Sequence, residues 1–221
     1  MNRKNICEKR KTVYTLLAYL LLNEPTNDTL RKLVSNRELL CEIADDQSLF
    51  TGSLDNKSLE SFVQEYYDRF FVTSSKRFIP PFEYAIRHRT ENEQKVRFGK
   101  LLSKQSFHIA DCYEAVGFSP DRVDMFEPLR EMQYPDHIAY EMSFMVYLLN
   151  GEEKAYCVSE DHADVWQDRQ YQFLSEHLAT WTEDLYNLSR EKQDGLYTEI
   201  LNVINQWVQA DLQYVNDRKI H

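Results

Sequence analysis

The sequence predicts an all-α fold, a bundle of about 9–11 helices, and three observations carry that reading. Apolar residues recur at helical spacing through most of the chain; Phe62, Tyr66 and Phe70 form one such stripe, with Val63, Tyr67 and Phe71 beside it. The 221 residues include only 5 Gly, too few for the many tight turns of an all-β domain. The composition, 43% hydrophobic and 28% charged, is that of a globular chain able to bury one good core.

In chain order, residues 8–23 read as a first helix, ended by Asn23 and Pro25. Arg3, Lys4, Lys9, Arg10 and Lys11 precede its apolar run 13–22, which gives it the look of a signal peptide. No small-residue cleavage site follows, and a run of about ten residues is too short to span a bilayer. It therefore reads as neither a cleaved signal peptide nor a membrane span, and the protein is expected to stay in the cytoplasm without stable membrane insertion. Thr26 or Asn27 caps a second helix, residues 38–44 form a short third, and the polar stretch 47–56 reads as loop. Ser58 opens a stronger helix, 59–71, in which Tyr67 is the aromatic expected at the surface. Pro80-Pro81 removes two backbone donors and bars helix through Ile79, so Phe78 and Phe82 are presented on a stiff, irregular segment.

Residues 91–116 read as one long helix or two end to end, stopped by Gly117. Residues 118–135, with Pro120, Pro128 and Pro135, read as a hinge. It divides a single domain, 1–221, into an N-terminal lobe of residues 1–117 and a C-terminal lobe of residues 136–221. Such a hinge allows a monomer or a homodimer made by exchange of lobes. Pro135 and Asp136 then start a helix with the stripe Ile138, Met142, Met145 and Leu149, ended by Asn150-Gly151. Residues 163–187 are amphipathic with a break near Thr182, and His177 reads as a satisfied core histidine. The last helix spans residues 194–216.

A net charge of −10 excludes nucleic acid as a partner, because phosphate binding needs clustered Lys and Arg; it favours basic ligands. Cys7, Cys41, Cys112 and Cys157 are scattered without a C-x-x-C, as expected of thiols in a reducing compartment. No cofactor is expected. The chemistry of the chain concentrates at Asp136, His137 and Glu141. Asp136 reads as an N-cap, and His137 and Glu141, four apart, share a face of the same helix. That face has three readings: a capped helix with a surface pair, a metal site lacking further ligands at the right spacing, or a site that exchanges hydrogen bonds with a peptide. A small hydrolase using Asp136, His137 and Glu141 is an alternative. It lacks a nucleophile motif, a metal set and a phosphate loop, so the chain does not read as an enzyme.

The run Pro135-Asp136-His137-Ile138-Ala139-Tyr140-Glu141-Met142-Ser143-Phe144-Met145 resembles the signature of the TorD/DmsD/NarJ-type redox-enzyme maturation chaperones. Tyr67-Asp68-Arg69-Phe70-Phe71 followed by Pro80-Pro81-Phe82-Glu83 resembles a second block of that family. Phe173-Leu174-Ser175-Glu176-His177-Leu178-Ala179-Thr180-Trp181 resembles a third. The chain departs from the family at Tyr84, where Ser is usual, and at Ile86, where an aromatic is usual. The resemblance implies an all-helical chaperone, without catalytic or metal residues, for a molybdenum or tungsten oxidoreductase precursor. Its partners would be the molybdoenzyme catalytic subunit and its twin-arginine signal peptide, held until cofactor insertion so that export is not premature. Assembly of a non-exported nitrate-reductase-type subunit is the alternative within the family. An arginine pair followed by an apolar run calls for carboxylates beside an aromatic groove. Asp136, His137 and Glu141 supply the one, and Tyr67, Phe71, Pro81 and Phe82 the other.

Overall fold

A computed structural model describes residues 3–54, 58–92, 95–101, 104–132 and 134–219, without the side chains of 92, 95, 104, 105 and 219. The helices in chain order are α1 (Arg3–Leu22), α2 (Asn27–Ser35), α3 (Arg37–Ala44), α4 (Thr51–Leu54), α5 (Leu59–Phe70) and α6 (Glu83–Arg87). After a small hairpin follow α7 (Lys104–Glu114), α8 (Glu127–Met132), α9 (Ile138–Tyr156), α10 (Glu160–Glu176), α11 (Thr182–Lys192) and α12 (Leu196–Lys219). The all-α class holds. No helix among the described residues is long and apolar enough to cross a membrane.

Local chemistry accounts for most helix ends. Thr26 and Thr29 form a capping box at α2, while Ser58 and Ser159 cap α5 and α10 through their hydroxyls. Gly117, at φ 75°, ends α7, and the Phe118 amide behind it donates to the Tyr113 carbonyl at 2.9 Å. Two ends are capped across the molecule by α5. The buried Glu65 carboxylate accepts from the Tyr197 amide at 3.0 Å at the start of α12. Buried Arg69 donates to the Ser189 and Gln193 carbonyls at 3.0 and 2.5 Å at the end of α11. Burying an arginine is tolerable here because the Ser189 and Gln193 carbonyls and the Thr198 hydroxyl accept its hydrogen bonds.

α1 lies along α9, α9 along α10, and α12 packs on α3, α5, α10 and α11. One continuous core joins them, from Cys7 and Leu17 of α1 through Met142 and Leu149 of α9 to Val208 and Val215 of α12. Polar ties reinforce the first helix: Arg10 forks onto Asp211 at 2.5 and 2.9 Å, and Tyr14 donates to the same carboxylate at 2.8 Å. All three are buried. Residues 118–135 share this core, with Met125 and Leu129 buried in it and the Phe126 amide donating to the Leu22 carbonyl at 3.2 Å.

Four expectations need correction. Residues 91–116 are not a continuous helix: Thr90–Asn92 (β1) and Lys95–Arg97 (β2) pair as an antiparallel hairpin, and helix begins only at Lys104. Residues 90–97 are almost wholly polar, so no apolar stripe fixes a helical period there. The loop expected at 47–56 contains α4 and turns on Phe50, which is buried at φ 68° with its amide donating to Glu199 at 2.9 Å. The first helix starts at Arg3, ahead of residue 8, drawn out by the ion pair of Arg3 with Glu152. Finally, Asn150-Gly151 does not end the signature helix, which runs on to Tyr156.

Gly151 is there for closeness. A Cβ built on it would run into the Trp166 ring, so the missing side chain is what lets α10 settle on α9. Gly151→Ala is therefore expected to destabilise the fold by about 1–3 kcal/mol through overpacking, despite alanine's better helix propensity. Urea denaturation would measure it; an unchanged or raised midpoint would contradict the packing argument.

Candidate functional site

The Pro80-Pro81 segment and the Pro135–Met145 signature meet in the structure, and the meeting is made by backbone. Prolines keep residues 79–82 extended, and Phe82 pairs with His137 as an isolated antiparallel bridge. The Ile138 amide donates to the Pro81 carbonyl at 3.0 Å, and the Glu83 amide to the Asp136 carbonyl at 2.9 Å. Phe82, Pro81, Asp136, His137 and Glu141 are thus brought together. The expected open face is not at the surface, however. Asp136 and Glu141 are 0% exposed and His137 4%.

Each side chain has an internal task. His137, not Asp136, is the N-cap of α9: its Nδ1 accepts from the Ala139 amide at 3.1 Å. That leaves the ring proton on Nε2, and burial pushes the imidazole down to about 3, so the ring is neutral. Phe82 and Tyr140 flank it, with centroids at 5.3 and 5.5 Å. Asp136 instead caps the neighbouring helix α6, accepting from the Tyr84 amide at 3.1 Å; Ser106 also hydrogen-bonds to it. Burial nevertheless pushes its carboxyl up to about 6. Both residues are good caps, and the bridge to Phe82 decides which helix each one serves.

Behind them lies a cluster of buried carboxyls. Glu141 accepts from the Trp181 indole at 3.2 Å, and burial together with the charge of Glu83 holds it well above the usual carboxylate range. Glu83, also 0% exposed, is held by Arg87 and by His177, whose Nδ1 lies 2.9 Å from it. The other His177 nitrogen, Nε2, faces His108 Nδ1 at 2.9 Å. Tyr113 closes the group by donating to the Pro135 carbonyl at 2.9 Å. Glu83, His177 and Trp181 lie within the motif blocks, but their spacing gave no sign that Glu83 meets His177 or that Trp181 meets Glu141. His108 and Cys112 stand four apart on α7, a local signal of paired side chains on one helix face.

Tyr67 and Phe71 belong to a different cluster. They are half-buried and pack on Tyr66 and Phe126, with Tyr67–Phe71 centroids 5.6 Å apart and Phe71–Phe126 5.4 Å. Open surface lies beside the junction. A cavity of about 550 Å³ is lined by Tyr113, Phe118, Tyr134, Pro135 and Tyr140, with Glu114 and Asp121. A second, about 390 Å³, shares Gly117, Phe118 and Ser119 with it and continues over Tyr19, Val146, Tyr147 and Asp124.

The buried carboxyls make stability depend on pH. Asp136 titrates near 4 when unfolded and at about 6 when folded, so between those values the folded state binds more protons and stability falls as pH rises. His137 acts oppositely: its depressed value means that the unfolded state takes the proton first, and stability rises from about 3 to about 6.5. Asp136→Asn keeps an acceptor for the Tyr84 amide and removes only the first effect. Its stability is expected to gain on wild type by about 3 kcal/mol between pH 4 and 6 and then level off. Denaturation at a series of pH values would check this; a difference independent of pH would contradict it.

The model of the nitrate reductase delta subunit family matches residues 22–187, a span that contains the Pro-Pro segment, the signature helix start and the His177–Trp181 turn. A comparison with curated proteins gives no match. With most of its length matched, the chain belongs to the nitrate reductase delta subunit family, one of the redox-enzyme maturation chaperones that assist the assembly of molybdoenzymes.

Proposed function

We propose that this chaperone works in the cytoplasm on the apo form of a molybdenum or tungsten oxidoreductase, engaging the twin-arginine leader of its catalytic subunit and delaying export until the cofactor is in place. The observation that carries the reading is the pair of adjoining cavities beside the Asp-His helix start. Their aromatic walls suit an apolar run; Arg130 and Arg122 also line them, but Glu114, Asp121 and Asp124 outnumber these two cations and suit an arginine pair. The roles of Asp136, His137 and Glu141 are then to set the wall from behind, since a buried carboxyl cannot meet a peptide without opening the junction. Tyr67 and Phe71, half-buried on their own face, are proposed to add contacts to the client body.

A second reading is favoured by the family match itself: the client is a nitrate-reductase-type catalytic subunit that is not exported, and the body of the enzyme is the main contact. Capture of full-length and leaderless apo subunit separates the two. Loss of binding without the leader supports the first, and equal capture supports the second.

For the leader itself, calorimetry with one synthetic twin-arginine peptide is the test. The −10 net charge means that affinity should fall as salt rises, screened over about 8 Å at physiological ionic strength. Asp121→Asn combined with Asp124→Asn should weaken binding about tenfold, or about 1.4 kcal/mol, while Asp136→Asn binds near wild type. Binding that ignores salt and both groove aspartates would contradict the assignment of the arginine contact.

A further inference from the structure

We propose that His108, Cys112 and His177 form a binding site for a divalent transition-metal ion of the zinc type, joining α7 to the turn after α10. The candidate ligand atoms, one from each residue, all lie within 4.8 Å of one another. Zinc bonds of about 2.0–2.1 Å to nitrogen and about 2.3 Å to sulfur place tetrahedral ligands about 3.3–3.7 Å apart. His108 Nδ1 and His177 Nε2, now 2.9 Å apart, need only separate by a few tenths of an ångström, with an ion taking the place of the shared proton. His108 and Cys112 stand four apart on one helix, so both reach the same side.

The surroundings are those of a ligand set. His177 is buried, and its Nδ1 faces the Glu83 carboxylate at 2.9 Å, which fixes the tautomer with the Nε2 lone pair turned toward His108 and Cys112. A carboxylate behind a ligating histidine is the usual outer partner of a zinc-bound imidazole. A cavity of about 190 Å³, lined also by Glu176, opens beside the three residues and leaves room for water as a fourth ligand. Arg169 lines the same cavity and opposes a cation, but the Cys112 thiolate formed on binding and the nearby Glu176 carboxylate offset its charge. Two imidazoles and one thiolate select a borderline-soft ion; magnesium and calcium require oxygen.

The protons balance simply. Cys112 releases its proton to solvent and binds as thiolate. His108 passes its proton from Nδ1 to the exposed Nε2, so one proton leaves per ion bound and nothing is oxidised. No spacing rule marks a complete set, because His177 lies 69 residues from His108.

Cobalt(II) is the spectroscopic probe and zinc the competitor, both added to the full-length chain stripped of metal at neutral pH. One equivalent of cobalt should give a thiolate-to-cobalt charge-transfer band with the intense d–d absorption of a tetrahedral site. Zinc should abolish both, and magnesium should not. Cys112→Ser should remove the charge-transfer band, and His108→Ala should weaken cobalt binding at least tenfold; Cys157→Ser should change nothing. Thiol labelling gives an independent readout. Exposed Cys157 should react with or without zinc, whereas Cys112 should be protected only when zinc is present. Because His108 is exposed and Cys112 half-buried, both variants should keep the wild-type far-UV dichroism. Absence of a charge-transfer band in the wild type, or a band that survives Cys112→Ser, overturns the proposal.

Discussion

The short antiparallel bridge between Phe82 and His137 is the constraint on which the rest of the site depends. Two backbone hydrogen bonds, Ile138 to Pro81 and Glu83 to Asp136, tie a proline-stiffened segment to the first turn of the signature helix. Once that register is set, Asp136 is placed over the start of α6 and His137 over the start of α9. Glu83 and Glu141 are both turned inward. Burying three carboxyls in one region would be prohibitive if all were charged and unpaired. Each is relieved differently: Asp136 by hydrogen bonds, Glu83 by Arg87 and His177, Glu141 by keeping its proton while its Oε2 accepts from the Trp181 indole.

This arrangement changes how the polar residues of the signature are to be understood. They are conspicuous in the sequence because a helix start seldom needs so many polar groups, and that points to recognition. In the fold the same groups hold three segments together and so shape the cavities beside them. On the proposed function, the site is then one step removed from the motif: the cavity lined by Tyr113, Phe118, Tyr134 and Tyr140 would receive the client, and the buried carboxyls lie behind it. α1 contributes from the other side through Tyr19, which ties the second cavity to the core that Arg10, Tyr14 and Asp211 anchor.

The helical class and most helix starts were legible because they rest on local chemistry. Thr26, Ser58 and Gly117 did what their side chains, or lack of one, allow. The failures share a different cause. Gly151 has the chemistry of a helix end, but its place is decided by the Trp166 ring pressed against it from α10. Asp136 has the chemistry of a cap and is one, for a helix more than fifty residues earlier in the chain. The hairpin at 90–97 lies in a polar stretch where no period was available to be read. The burial of Asp136, His137 and Glu141, and the meeting of His108 with His177, are products of packing between distant segments. Neither spacing nor composition encodes them.

Native-state hydrogen exchange at the junction tests the central claim most directly, since it reads the bridging bonds one amide at a time. If the bridge organises the site, the amides of Glu83 and Ile138, though they lie at the ends of short connecting segments, should exchange as slowly as those in the middle of α9, such as Leu148. Exchange at the rate of the exposed turn at residues 73–74 would show that the two segments merely lie side by side, and would contradict the account.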